Sequence, residues 1–302
     1  MLHEYYPRRN EVDQWCNTLL ERAERRTLKV EFLDAPSYSF QLGVRHVGGN
    51  CYVAFKTPGR KTFYGYWQPA HAAPAPILFH VPGYGAEMSA HPELVEKGFN
   101  VLHINPLGYA TPSGPARNEG MWPVLPDTVR SGGQRGYVDW LEDALAAVTW
   151  GLSLDMVEPR RFGFFGTSQG GGTSLLLASI MAGRGVKAVA ADLPFLTNFP
   201  LMYKLENRGA YQIAFDSMRT PEGEPDEWRA LGFIDTVSHA HRLKMPTLLT
   251  AGGLDDACPP SSIESLFAKL PGTRSYTCIH DQGHAYTVAF LRLASAWFGL
   301  YV

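Results

Sequence analysis

The sequence lacks the features that announce a metal site or a disulfide framework. Its 302 residues include four cysteines, Cys16, Cys51, Cys258 and Cys278, far apart and with no CxxC pair. That spacing argues against a structural zinc site, and a chain of this size needs no disulfide framework. No apolar run approaches the roughly 18 residues of a membrane span. The opening MLHEYYPRRNEVDQW has no apolar core of a secretory leader. The expectation is a soluble cytoplasmic protein with reduced thiols, no membrane partner and no metal. An excess of charge is missing too. Twenty-seven basic residues against 29 acidic ones leave a net charge of −2, without the basic face of a nucleic-acid binder. What remains, 45% hydrophobic and 19% charged residues, fits a single domain over residues 1–302 with a substantial core.

The order of the apolar runs points to an α/β fold. A helix-compatible stretch over residues 10–26 precedes three β-runs, TLKVEFLD (27–34), CYVAFKT (51–57) and TFYGYWQP (62–69), which suggest an antiparallel edge. From residue 77 short apolar runs alternate with helical patterns: ILFHV, a helix near 89–97, FNVLHI, a Pro/Gly loop of about 30 residues, a helix over 137–152, and RFGFF (161–165). SLLLASIMA, VKAVAAD (186–192), TLLTAGG (247–253), a helix over 261–269, SYTCIH and a closing helix over 285–299 follow. Continuous apolar strands that each feed a helix indicate a mostly parallel central sheet with helices on both faces. Residues 193–244 interrupt this rhythm. An insertion of that length at the carboxyl end of a sheet is either a lid or pocket wall, or a subunit-contact decoration.

The stretch GFFGTSQGGGTS (163–174) carries the chemistry. A Walker phosphate loop needs GxxxxGK[ST], and no lysine follows here; a dinucleotide loop belongs after the first strand of its unit, not in mid-chain. Gly166-Thr167-Ser168-Gln169-Gly170 satisfies GxSxG between a strand and a helix-forming run, the setting of a nucleophile elbow. A serine hydroxyl is a weak nucleophile until a base takes its proton, so an acid and a histidine must follow in the order Ser, acid, His. Asp255 and Asp256 stand just past one strand. Gly252-x-x-Asp255 puts Asp255 in the tight turn and selects it, with Asp256 as the fallback or a cap for the next helix. His284 follows a glycine in a loop before the last helix and is the candidate base, whereas His280 ends a β-run and reads as structural. The backbone N–H groups of Gln169, at the helix start, and of Tyr84, in the turn of VPGYG, are the candidate oxyanion donors.

GTSQGGG, ADLPFLTNF (191–199), FIDTVSHAHRLKMPTLLTAGGLDDACPPSS (233–262) and Gly283-His284 together resemble the acetyl xylan esterase/cephalosporin C deacetylase family, best from about residue 135 onward. The resemblance implies an α/β-hydrolase fold with a lid-like insertion and a cofactor-independent serine esterase. Its substrate would be a small ester, above all an acetyl ester of a carbohydrate. It also implies Ser168 as nucleophile, Asp255 as acid, His284 as base, Tyr84 as an oxyanion residue, and a homo-oligomer. Two positions depart from the family pattern. Asn105-Pro106-Leu107-Gly108 stands where an Arg-Gly-Gln motif is usual, Gly133-Gln134-Arg135 being too late in the chain, and Ala285 replaces the glutamate after the histidine. Two other readings fit the elbow. A peptidase of the prolyl-oligopeptidase type would need a gating domain that residues 1–70 are too few to supply. A catalytically silent binding protein would typically have lost a member of the trio.

Overall fold

A computed structural model describes residues 2–33, 51–85, 89–106, 110–111, 114–115, 124–205 and 208–302. The strands are β1 Lys29–Leu33, β2 Cys51–Lys56, β3 Phe63–Gln68, β4 Ala75–Val81, β5 Asn100–Asn105, β6 Ala110–Thr111, β7 Gly114–Pro115, β8 Val157–Thr167, β9 Val186–Asp192, β10 Thr247–Gly252 and β11 Arg274–Ile279. The helices are α1 Arg9–Glu24, α2 Pro92–Glu96, α3 Val124–Arg130, α4 Tyr137–Leu152, α5 Gln169–Ile180, α6 Phe199–Lys204, α7 Gln212–Asp216, α8 Pro225–Ile234, α9 Thr236–His239, α10 Pro260–Phe267 and α11 Val288–Tyr301.

Among the described residues nine strands form one sheet in the order β1-β2-β3-β5-β4-β8-β9-β10-β11, and β6 pairs with β7. The first three strands and the β3–β5 contact are antiparallel. From β5 to β11 every pairing is parallel, so the β-runs at the start of the sequence do form the antiparallel edge. Parallel strands need both faces covered, and their side chains divide accordingly. Ile77, Phe79 and Val81 of β4 join the layer packed by α1, α4 and α5. Leu78, Phe165 and Ala190 face α2 and α11 on the other side. The result is the mostly parallel sheet covered on both faces that the run order indicates, in the α/β-hydrolase architecture that the resemblance implies. No helix among the described residues is long and apolar enough to cross a membrane.

Boundaries shift by one to three residues at several elements, and three differences from the sequence reading stand out. The Pro/Gly loop before residue 134 contains α3, missed because it is short and holds Pro126 in its first turn. The strand read over 161–165 runs from Val157 to Thr167. The closing helix starts at Val288, because the Thr287 hydroxyl accepts from the Phe290 N–H and caps it there. That delay leaves His284 in a loop.

The 193–244 insertion folds into α6 to α9 and two short 3-10 turns. Phe199, Tyr211 and Trp228 are fully buried within it. Asp235 pins it: this buried carboxylate accepts from the N–H groups of Asn198, Phe199 and Val237 and from the Tyr6 hydroxyl, at 2.8–2.9 Å. Four donors satisfy the charge that burial would otherwise leave stranded, and they join the N-terminal turn to the insertion.

Candidate active site

β8 delivers Ser168 at its carboxyl end, and α5 begins at the next residue. Ser168 has φ 57° and ψ −119°, a left-handed conformation that a side-chain-bearing residue rarely adopts. Backbone bonds hold the strain in place. The Ser168 N–H donates to the Asp192 carbonyl at 2.8 Å, and the Ser168 carbonyl accepts from Phe195 N–H at 3.0 Å.

The four glycines around the serine are explained by what surrounds them. A Cβ on Gly166 would stand 2.4 Å from the Val81 carbonyl oxygen, and one on Gly170 2.0 Å from the same atom, so the end of β4 presses into the elbow. Packing of the first turn of α5 on its other side accounts for the remaining two. A Cβ on Gly171 would meet the Asp192 oxygen at 2.7 Å, and one on Gly172 the Phe195 oxygen at 2.0 Å.

Asp255 and His284 arrive on the loops after β10 and β11. His284 Nε2 lies 2.8 Å from Ser168 Oγ, and its Nδ1 lies 2.8 Å from Asp255 Oδ2. The remaining Asp255 oxygen accepts from the N–H groups of Ala257 and Cys258 at 2.9 and 2.8 Å. The Asp255 side chain is fully buried, and that of His284 is 29% exposed. A carboxylate so held fixes the proton on Nδ1 and leaves Nε2 free to take one from the hydroxyl. Asp256 is exposed and bonds to neither ring nor serine. It does not cap α10 either, whose N-cap position is Pro259 with no side-chain cap. His280 is exposed in the turn after β11.

A cavity of about 380 Å3 opens over the serine, lined by His80, Pro82, Gly83, Tyr84, Ala210, Ala257, His284, Ala285 and Tyr286 among others. Ala210 is the contribution of the 193–244 insertion. The turn carrying Tyr84 runs against the elbow, a Cβ on Gly83 falling 3.9 Å from Ser168 Cβ. Gln169 is buried as the first residue of α5, its carbonyl accepting from the Thr173 hydroxyl at 2.6 Å. Larger clefts of about 570 and 700 Å3 lie elsewhere and contain none of these residues. The Asn105 departure falls at the end of β5, and Leu107-Gly108 lies outside the described residues. Gly133 and Gln134 line the 570 Å3 cleft instead of the cavity.

Several neighbours of the trio were not singled out from the sequence. His80, at the cavity wall, is hydrogen-bonded to His103 between their Nδ1 atoms at 2.7 Å. Burial holds both well below the usual histidine range, His103 at about 3, so both are neutral. Burial also pushes the Cys258 thiol well up, leaving it un-ionised beside Asp255 and Ser168. Asp192, the last residue of β9, is fully buried and pushed up to about 6 by that burial. Its carboxylate accepts from the Thr167 and Thr250 hydroxyls at 3.0 and 2.5 Å. The signal available in the sequence was an ionisable residue ending the apolar run AVAA of VKAVAAD. Among the described residues no three His, Cys, Asp or Glu side chains are arranged to hold a metal ion.

A family model described as acetyl xylan esterase (AXE1) matches residues 2–299. The acetyl esterase Axe7A of Xylanibacter ruminicola is 25% identical over 232 residues, 70% of this chain and 50% of its own. The chain thus spans about half the length of that curated relative. Acetyl xylan esterase 1 from Thermoanaerobacterium sp. JW/SL YS485 has the same fold, with a TM-score of 0.79 at 21% identity over 99% of this chain and 97% of that one. An acetyl xylan esterase from Paenibacillus sp. R4 gives 0.76 at 20% identity over 100% and 98%. The sequence resemblance is borne out by a match over nearly the whole length: the chain belongs to the acetyl xylan esterase family.

Proposed function

We propose that the protein is a serine carboxylesterase that removes small acyl groups, above all acetyl, from carbohydrates or related alcohols. The observation that carries this reading is the unbroken hydrogen-bonded chain from Ser168 through His284 to Asp255 on a strained elbow. Ser168 Oγ attacks the ester carbonyl while His284 Nε2 takes its proton and Asp255 steadies the imidazolium. The backbone N–H groups of Tyr84 and Gln169 receive the oxyanion. The proton on His284 passes to the departing alcohol, leaving an acyl-Ser168 ester. Water then enters, gives a proton to His284 as it attacks the acyl carbon, and His284 passes that proton to the departing Ser168 Oγ as the carboxylic acid is released. The insertion serves as a wall of the pocket through Ala210. The acetyl preference is supported by family membership, and nothing in it favours the peptidase or silent-binder readings.

A fluorophosphonate probe and a series of p-nitrophenyl esters test this together. The expected result is covalent modification of the Ser168 peptide, with kcat/KM highest for acetyl and falling as the acyl chain lengthens. Folded protein that takes up no label would contradict the nucleophile assignment. Equal rates from acetyl to octanoyl would contradict the small-acyl assignment. Acetylated xylo-oligosaccharides and cephalosporin C then identify the alcohol.

A further inference from the structure

Asp192 has an expensive position for a structural clamp. Asp235, equally buried, accepts four hydrogen bonds, three of them from backbone N–H groups. Among the described residues Asp192 accepts two, both from threonine hydroxyls. A neutral acceptor would tie two hydroxyls at no cost of burying a charge. The carboxylate therefore offers something a neutral group would not.

Its surroundings indicate what. Thr167 is the residue before the nucleophile, and Thr250 lies on β10, the strand that leads into the Asp255 turn. The Asp192 main-chain carbonyl meanwhile holds the Ser168 N–H. One residue thus bridges the nucleophile strand and the acid strand. The titratable groups within its electrostatic reach are His284 and Asp255, from the loops after β11 and β10, and Tyr286 beside the histidine. Among the described residues β8 and β10 bond the Asp192 carboxylate through the two hydroxyls, and α5 carries no ionisable side chain from Gln169 to Ile180. Arg292 of α11 lines an outer groove with Glu93 instead.

We infer that Asp192 is a positioning residue of this site: it clamps the nucleophile and acid strands together, and its negative charge supports the His284 imidazolium during acyl transfer. The inference rests on the esterase reading for its kinetic consequence. Ser168 gives His284 a proton in each acylation, and a carboxylate nearby favours the charged ring. At neutral pH Asp192 is ionised, since burial raises it only to about 6. Below that it takes up a proton and its support is lost.

Asp192→Asn keeps the shape and an acceptor oxygen but removes the charge. It should lower kcat on p-nitrophenyl acetate roughly three- to tenfold with KM little changed. The His284 ring, followed by NMR, should titrate at lower pH than in the wild type, because the imidazolium has lost a stabilising neighbour. Thr250→Val should lower kcat by removing one hydroxyl of the clamp, and Thr250→Ser should restore it. An Asp192→Asn protein with wild-type kcat and an unmoved His284 titration would overturn the charge role. A Thr250→Val enzyme with wild-type kcat would overturn the clamp. The NMR titration needs no turnover, so it decides the inference separately from the esterase reading. A folded wild type that hydrolyses no ester would count against that reading alone.

Discussion

Gly172→Ala sets helix propensity against sterics at one atom. Alanine in a helix interior is favoured over glycine by about 1 kcal/mol. At Gly172, in the first turn of α5, the new Cβ would lie 2.0 Å from the Phe195 carbonyl oxygen and 2.9 Å from its carbon. Ordinary contact begins more than an ångström further out. The obstacle is backbone, and it cannot swing aside, because Phe195 N–H is bonded to the Ser168 carbonyl. Overpacking of this kind costs about 1–3 kcal/mol, more where backbone must move. The clash wins, and the variant should lose about 2 kcal/mol, or roughly 4 °C in melting temperature. It should also lose turnover, since a shift of about 1 Å at the helix start misplaces Ser168 and costs up to about a hundredfold. Gly299→Ala in α11 is the control. Nothing lies within 4 Å of its added Cβ, so the same substitution should stabilise by up to about 1 kcal/mol. Thermal unfolding followed by circular dichroism, with p-nitrophenyl acetate turnover, reads both. A Gly172→Ala protein melting at or above Gly299→Ala would refute the reasoning.

Asp255→Asn should leave the fold intact, because the side chain still accepts from Ala257 and Cys258 N–H. It should lower kcat by about 10⁴ by releasing the His284 tautomer, and steady-state kinetics beside a circular dichroism spectrum will check both. Folding stability should fall as the solution is acidified below about pH 6.5, the ordinary histidine value. His80, His103 and His239 are held neutral by burial, His103 near 3 and His239 near 4, so an unfolded chain binds protons that the folded one refuses. Each such group is neutral in both states about a pH unit above 6.5, and once the pH falls below 6.5 it removes up to about 1.4 kcal/mol per pH unit. Urea midpoints at pH 7.5 and 5.5 will show the loss, and equal midpoints would contradict it.

The apolar runs located all nine strands of the main sheet: the six from β5 to β11 because parallel strands must be apolar on both faces, and the antiparallel β1 to β3 because β-prone runs were bounded by turn signals. The elbow, the acid and the base were legible for a related reason: each sits beside a glycine at the carboxyl end of a predicted strand. Asp255 could be preferred to Asp256 from its place in the turn, and the two side chains do part company, one buried and bonded, the other exposed. What the sequence hid depends on distant atoms. Gly171 and Gly172 answer to carbonyls more than 20 residues away, which no local pattern reveals. Leu193 and Leu196, with φ of 45° and 62°, carry no mark of the left-handed turns they make after β9. Asp192 looks like a strand terminator until Thr167 and Thr250 close around it.

The central claim is that Ser168 is the nucleophile of an ester hydrolase. Hydrolysis of p-nitrophenyl acetate by Ser168→Ala, measured beside a wild type of equal melting temperature, tests it most directly. The account predicts a fall in kcat/KM of at least about a thousandfold, because His284 and Asp255 are left with no hydroxyl to activate. Full activity in the variant would contradict it.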